Sequence, residues 1–323
     1  MTVFLIRRLL QSLVVIFVMS LLVFSAVFAI GNPVDVLISP EATAAERERT
    51  IHQLGLDRPI WEQYFMFVKN AVQGELGDSF VHNRPALKLI MERMPATFEL
   101  ATCSMLIAVL LGIPLGIWAG YKPTKFSGKS IMSGSILFFS LPTFWVGLMM
   151  ILIFAVHLTW LPTIGRGETV TLLGMRLSFL TLDGLKHLIM PAVNLGLYPL
   201  ALIIRLTASG VRETLPLDFV KFARAKGIKT RRVIMVHVLK NILIPIVTVI
   251  GLQFSVILAF AVITESIFAW PGMGKLLIDS ITLLDRPVLV AYMLVVVVVF
   301  ITINIIVDIF YSVLDPRVRI GGL

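Results

Sequence analysis

The chain has 323 residues, of which 58% are hydrophobic and 15% charged, and its mean hydropathy is +0.94. Soluble domains average about 45–50% apolar and about 25% charged residues, so this composition excludes an ordinary soluble domain and a disordered tail. A single cysteine, Cys103, excludes an internal disulfide framework.

Six apolar stretches are long enough to cross a membrane. A bilayer core about 30 Å thick is spanned by roughly 20 apolar helical residues. The stretches lie at about 9–30, 97–120, 131–157, 188–209, 242–264 and 288–313. The first exceeds the hydrophobic region of a signal peptide, which covers about 7–15 residues. The sequence therefore predicts an all-α, polytopic membrane protein with six transmembrane helices.

The basic residues favour one side of this arrangement. With six spans, both termini share one side, which then carries 16 basic and four acidic residues, a net charge of +12. The opposite side carries 12 basic and 15 acidic residues, a net charge of −3. Because Lys and Arg mark the cytoplasmic side, both termini are predicted to be cytoplasmic. The net charge of +9 therefore reports orientation, and it predicts contact with membrane lipid and no nucleic-acid partner.

The spans divide the chain into four regions. Residues 1–30 form the N-terminal cytoplasmic end and first span, and residues 31–96 an external helical segment. Residues 97–314 form a five-helix core with a cytoplasmic loop at 212–241, and 315–323 a cytoplasmic tail. Helices are predicted at about 39–54 and 58–73, ended by Gly55 and Gly74. An apolar stripe on the second predicts a packing or interfacial face: Trp61, Tyr64, Phe65 and Val68.

The cytoplasmic loop contains a short amphipathic helix. It is predicted from Pro216 to Lys226, with Gly227 as the residue that closes it. Phe219, Phe222 and Ala223 share one face by their spacing. Two interpretations stay open: the apolar face inserts into a groove on a soluble partner, or the loop is a basic, topology-setting segment on the headgroups.

Two further features have paired interpretations. Arg205 and Asp308 are the charges deepest in the predicted spans, and they either pair with each other or extend separately to the membrane surface. The Pro/Gly-rich loop 265–275 is either an external gate folded into a translocation path or a surface turn. Five residues define this candidate gate: Glu265, Phe268, Trp270, Pro271 and Gly272.

Several blocks of sequence occur in the order typical of one transporter family. The central block is DFVKFARAKG at 218–227, followed by RRVI at 231–234 and by His237. The outer blocks are FLIRRLL at 4–10, LGLDRPIWEQY at 54–64 and GELGDS at 74–79. The last blocks are ESIFAWPGMG at 265–274 and LDPR at 314–317. Together they span essentially the whole chain, which resembles ABC importer permeases of the dipeptide/oligopeptide (DppB/OppB-type) branch.

Two positions depart from the family pattern. The Pro-Gly-Asp-Pro sequence common after the first span is replaced by GNPVD at 31–35. Lys221 stands near the place of the glutamate that names the family's EAA loop. This second change is usual in the branch, but no glutamate contact with an ATPase carries over.

The resemblance implies a permease subunit of a binding-protein-dependent importer in a bacterial or archaeal cytoplasmic membrane. It implies three kinds of partner: a second homologous permease, two cytoplasmic ATPases and an external substrate-binding protein. The 212–241 loop would then be the coupling element, with the ATPase contacts Phe219, Phe222, Ala223, Arg224, Ala225 and Gly227. Relatives carry dipeptides, oligopeptides, glutathione, nickel chelates or haem, so the substrate stays open.

No enzymatic activity is predicted for the chain itself. It has no G-x-x-x-x-G-K-[ST] sequence, so ATP and Mg²⁺ are expected on the partner ATPases. No catalytic, cofactor-binding or metal-binding residue is predicted. An ion-gradient-driven secondary transporter is the alternative, although the sequence lacks the internal repeat common in that class.

Overall fold

The computed structural model describes residues 2–29, 48, 51–52, 57–172 and 174–314. The predicted helix at about 39–54 falls almost entirely outside these residues, as do the motif at 31–35 and the tail at 315–323. The helices before residue 160 are α1 Thr2–Ala29, α2 Ile60–Gln73, α3 Ala86–Tyr121, α4 Phe126–Ser140, α5 Thr143–Met150 and the π-helical segment Ile151–His157.

A small antiparallel hairpin, β1 Val170–Leu172 with β2 Met175–Leu177, precedes the remaining helices. These are α6 Leu182–Thr214, α7 Asp218–Ala225, α8 Thr230–Arg232, the π-helical segment Val233–Val238, α9 Leu239–Ile267, α10 Met273–Thr282 and α11 Arg286–Leu314.

Five helical stretches among the described residues are long and apolar enough to cross a membrane. They are Ile6–Ser25, Ala86–Tyr121, Leu182–Thr214, Thr230–Ile267 and Arg286–Ile309. The broken pair Phe126–Ser140 and Thr143–His157 makes a sixth if it is counted as one span. A mostly helical fold with five or six candidate spans is thus confirmed, whereas the number of six spans and the cytoplasmic termini stay predictions.

The expected third span is a bent pair of helices. The sequence predicts one continuous span at 131–157, but α4 and α5 meet at an angle of 104°. Pro142 has no backbone N–H and disfavours helical geometry in the residue before it. Leu141 is accordingly extended, with φ −78° and ψ 134°. The apolar composition predicted a span here but contained no measure of this bend.

The chain divides into two compact units: Met1–Glu92 with Leu276–Thr302, and Arg93–Lys275 with Ile303–Leu323. In the first unit, α2 packs on α1 through Tyr64. Its hydroxyl group lies 2.7 Å from Ser20 Oγ, and its ring packs edge-on against Phe17 and Phe24. Tyr64 therefore confirms a packing face, whereas Trp61 and Phe65 of the same predicted stripe are exposed.

A buried carboxylate joins two distant segments of the first unit. Asp285, directly before α11, accepts hydrogen bonds from Ser79 Oγ at 2.5 Å and from the backbone N–H of Phe80 at 3.1 Å. Ser79 Oγ accepts in turn from the backbone N–H of His82 at 2.9 Å. These bonds fix the turn before α3 to the start of α11.

The second unit is built around α3, α6 and α9. Their buried side chains form one apolar cluster, which is closed by Trp270. The helices α3 and α6 approach closely because glycines 112, 116 and 120 of α3 face α6. A Cβ atom on Gly116 would lie 2.5 Å from Thr207 Cβ, closer than side-chain carbons approach. Small residues at this spacing permit tight packing of membrane helices.

Candidate functional site

Helix α7 presents two phenylalanines on the surface of the second unit. It starts at Asp218, two residues later than predicted, because Leu217 is extended with ψ 149°. Phe219 is 41% exposed and Phe222 is 62% exposed. Isolated apolar side chains are common on protein surfaces, but two adjacent aromatic rings on a polar helix mark a candidate contact site.

Ala223 is buried, unlike these two rings. It is 5% exposed, and the neighbouring Val220 is fully buried. Both pack in a cluster with Val211, Val233, Val238, Ile242 and Ile246. The predicted face of Phe219, Phe222 and Ala223 is therefore only partly exposed, because the two rings reach the surface while Ala223 packs in the core. Residues four apart on an α-helix differ in direction by about 40°, so Ala223 lies at the buried edge of the side that carries Phe219.

Gly227 ends α7 as predicted. Its φ is +74°, the left-handed region that glycine adopts at little cost. The backbone N–H of Gly227 donates to the carbonyl of Arg224 at 2.9 Å, and that of Ile228 donates to the carbonyl of Ala223 at 3.3 Å. This is a Schellman ending, which turns the chain sharply toward α8.

Basic side chains surround the exposed rings. Lys226 Nζ lies 4.5 Å from the centroid of the Phe222 ring. Lys221 Nζ lies 3.0 Å from Asp218 Oδ1, and Arg224 and Ala225 are exposed. The candidate contact surface of α7 thus combines two apolar rings with a basic rim.

The loop 265–275 is anchored by a buried glutamate. Glu265 is fully buried, and its Oε1 accepts a hydrogen bond of 2.6 Å from Thr97 Oγ1. Its Oε2 accepts one of 3.0 Å from the backbone N–H of Lys275. Thr97 Oγ1 also accepts from the backbone N–H of Met273 at 2.8 Å. One carboxylate therefore joins both ends of the loop to α3.

Aromatic residues fill the interior of this loop. Trp270 is fully buried, and its Nε1 donates to the carbonyl of Ala96 at 2.9 Å. Phe268 is 2% exposed, and its carbonyl accepts from the backbone N–H of Gly165 at 2.8 Å. Gly272 is buried and Pro271 half-buried. The interior of the loop therefore packs into the second unit, while both interpretations, an external gate and a surface turn, stay predictions.

A buried ion pair that the sequence analysis missed lies next to this loop. The Glu99 side chain is fully buried and forms a salt bridge with Arg166, whose side chain is 11% exposed. Glu99 Oε1 accepts from Ser178 N at 2.5 Å, Ser178 Oγ at 2.9 Å and Phe179 N at 3.0 Å. The Arg166 guanidinium also lies 5.5 Å from the Trp270 ring.

The available signal was weak: an acidic residue just inside a predicted span, and an arginine 67 positions later. Buried charges require partners. Nothing in the local sequence, however, identifies that partner. The pair holds the segment that contains the β-hairpin against the first half of α3.

Arg205 contacts an aromatic ring of α4. Its guanidinium carbon lies 5.5 Å from the centroid of the Phe139 ring. The Phe139 ring stacks on Tyr198 with a centroid distance of 4.9 Å and an interplanar angle of 24°. The ion pair of Arg205 with Asp308 stays a prediction.

Comparison with known proteins shows that this chain is similar to a family of transport proteins. Residues 112–320 match the family described as binding-protein-dependent transport system inner membrane component, and residues 1–101 match its N-terminal counterpart. The di/tripeptide transport system permease DppB of Pseudomonas aeruginosa is 38% identical over 98% of this chain and 98% of its own length.

Two permeases of Escherichia coli K12 are each 36% identical over 98% of both chains: the dipeptide permease DppB and the glutathione permease GsiC. Among solved structures, the MetNI methionine ABC transporter in an inward-facing conformation has a chain that superposes with a TM-score of 0.53. The match covers 72% of this chain and 98% of that one at 15% identity, which shows a shared fold.

Proposed function

We propose that this chain carries short peptides across the membrane. It belongs to the family of binding-protein-dependent transport system inner membrane components, which are the non-catalytic permease subunits of bacterial ABC importers. The family places it in the cytoplasmic membrane as a multi-pass protein and disfavours the secondary-transporter alternative. One observation supports the substrate class: the full-length identity of 36–38% to permeases named for dipeptides, di/tripeptides and glutathione.

The proposed assembly has the composition typical of this family. A second homologous permease forms the other half of the translocation path, and an external binding protein delivers the peptide. Two cytoplasmic ATPases hold ATP and Mg²⁺. Both termini and the 212–241 loop face the cytoplasm, in accord with the net charge of +12 on that side. The 31–96 segment and the 265–275 loop then lie outside.

We propose that α7 docks on an ATPase through Phe219 and Phe222. Burying one such aromatic side chain in a partner pocket contributes about 1.5–3 kcal/mol. Arg224 and Ala225 lie on the exposed surface beside the rings, while Ala223 and Gly227 hold the helix in place. The basic rim suits an acidic pocket margin, because unlike charges favour correct orientation during association.

The test uses the complete complex reconstituted in proteoliposomes. Labelled dipeptide and labelled glutathione are offered with the binding protein, and uptake and ATP hydrolysis are measured. The substrate proposal requires ATP-dependent uptake of at least one short peptide by the unmodified complex. Absence of uptake for every peptide, with uptake of a non-peptide solute, refutes it.

Phe222→Asp tests the docking proposal. We expect it to lower peptide-stimulated ATP hydrolysis about 10- to 100-fold, the factor equivalent to the lost burial. Phe126→Asp is the matched control, since Phe126 is 87% exposed at the start of α4 and lies outside the loop. Equal hydrolysis in the two variants would refute docking through α7.

A further inference from the structure

The C-terminal half of helix α6, from Tyr198 to Thr214, is enclosed on all sides but one. In its most apolar window 67% of the residues are buried, against 17–39% in the other candidate spans. Its open side is a stripe of residues at helical spacing, which we call the α6 stripe: Tyr198, Leu202, Arg205, Ser209 and Arg212. Buried residues occupy the remaining sides along this part of the helix.

The composition of the α6 stripe does not suit lipid. Lipid-facing surfaces are apolar, whereas ionisable residues in spans face a protein interior or a water-filled cavity. Four of the five stripe residues carry a polar group, and Arg205 lies nine residues before the end of α6 at Thr214. At 1.5 Å per residue, that is about 14 Å inside the helix.

The guanidinium group of Arg205 extends toward the middle of α6. It lies over the Phe139 ring, and Phe139 stacks on Tyr198, which is the central residue of α6. Extension to the nearest membrane surface would carry the group the opposite way, toward Thr214. Side chains of helices lean toward the helix N-terminus, and Arg205 follows this direction.

The break in the neighbouring helix lies beside this cluster. Phe139 is in the last turn of α4, and the exposed residues Ser140 and Pro142 flank the bend. Irregular backbone at membrane depth is tolerated where it is buried in protein or lines a water-filled cavity. Two independent features, the α6 stripe and the break, therefore meet at Phe139.

We propose that Arg205, with the rings of Phe139 and Tyr198, forms a transit site for the C-terminal carboxylate of a short peptide on the translocation path. The inference rests on the proposed function, because it takes its ligand class from there. A guanidinium group binds a carboxylate through two parallel hydrogen bonds. The carboxylate is common to dipeptides, tripeptides and glutathione, so one cation serves all three. The aromatic rings hold the guanidinium in place without neutralising it.

Thiol modification tests the site directly in the complete complex. Leu202→Cys is placed in a Cys103→Ala background, so that one introduced thiol on the α6 stripe reacts. The probes are an anionic sulfonate and a cationic trimethylammonium methanethiosulfonate. A free guanidinium nearby should make the anionic reagent react about five-fold faster or more.

Three variants define the result. Arg205→Gln should abolish the preference for the anionic reagent, whereas Lys186→Gln, an exposed cation of α6 outside the stripe, should keep it. If Asp308 neutralises Arg205, the preference for the anionic reagent should be absent from the Leu202→Cys protein and should appear only when Asp308→Asn is added. That result would overturn the proposal. No reaction with either probe would place the stripe against lipid or the second permease and would also overturn it.

Substrate protection identifies the ligand group. A dipeptide with a free C-terminal carboxylate should slow modification of the Leu202→Cys thiol, and the same dipeptide as its C-terminal amide should not. Equal protection by both overturns the carboxylate assignment.

Uptake separates this inference from the proposed function. Arg205→Gln should lower dipeptide uptake about 10-fold or more, with partial recovery in Arg205→Lys. Wild-type uptake in the Arg205→Gln variant refutes the transit site alone. Failure of the unmodified complex to carry any peptide refutes the proposed function, and it then refutes the carboxylate assignment as well.

Discussion

Replacement of Glu99 by alanine should strongly destabilise the fold. The change removes a fully buried carboxylate and leaves the Arg166 guanidinium largely buried without its counter-charge. It also leaves the backbone N–H groups of Ser178 and Phe179 without their acceptor. Breaking a buried pair from one side costs about 3–5 kcal/mol, because the remaining charge stays desolvated.

The same helix provides the control. Glu92 pairs with Arg84 at the surface, where the two side chains are 47% and 44% exposed. Such exposed pairs contribute about 0–1 kcal/mol. Glu99→Ala should therefore lower the folded-to-unfolded ratio about 10²- to 10⁴-fold, and Glu92→Ala less than about 10-fold. Both changes remove one carboxylate from α3, so they differ in the burial of the carboxylate and in the backbone hydrogen bonds that only Glu99 accepts.

The assay is denaturant unfolding of the purified chain in detergent, with limited proteolysis of the 166–179 segment as a local readout. Adding Arg166→Leu to Glu99→Ala should recover part of the loss, because the stranded charge is removed. Non-additivity of about 0.5–3 kcal/mol is usual for contacting residues. Equal stability of Glu99→Ala and Glu92→Ala would refute the reasoning that this pair anchors the hairpin.

Gly116→Ala should destabilise the fold by about 1–3 kcal/mol, because its Cβ would meet Thr207 Cβ at 2.5 Å and force α3 and α6 apart. Gly134→Ala should not destabilise the fold, because open space surrounds the added Cβ. Equal melting temperatures of the two variants in detergent would contradict the close packing of α3 and α6. Gly227→Val should lower coupled peptide uptake through backbone strain at φ +74°, whereas Gly227→Asn, which tolerates this conformation, should retain it. Normal uptake in the Gly227→Val variant would show that coupled transport does not require the left-handed ending of α7. The double exchange Arg205→Asp with Asp308→Arg should not restore uptake, since the carboxylate-binding cation is lost; recovery would establish the ion pair instead.

Local signals in the sequence predicted local structure well. The apolar stretches predicted the membrane helices because a bilayer imposes a length and a composition on each segment separately. Gly74 and Gly227 predicted the ends of α2 and α7, since a left-handed residue is needed there and glycine provides it. The ordered family motifs predicted the transporter class, which the family match confirms.

The faces of helices were predicted less well. Spacing grouped Ala223 with Phe219 and Phe222, but the structure buries Ala223 and exposes the two rings. Which side of a short amphipathic helix turns inward depends on the neighbouring elements, here the π-helical segment and α9. The bend at Pro142 had a local signal, yet that signal contained no measure of the 104° angle.

The sequence by itself determined which segments are apolar, where helices end and which family the chain resembles, because each of these depends on neighbouring residues. Only the tertiary structure decided which polar groups meet. Glu99 pairs with Arg166 across 67 positions, and Thr97 donates to Glu265 across 168. The physical reason is that a buried charge must find a partner, but any correctly placed partner will satisfy it. The sequence shows that buried charges such as Glu99 and Glu265 require partners. The packing of α3 against the 166–179 segment and the 265–275 loop determines which residues become those partners.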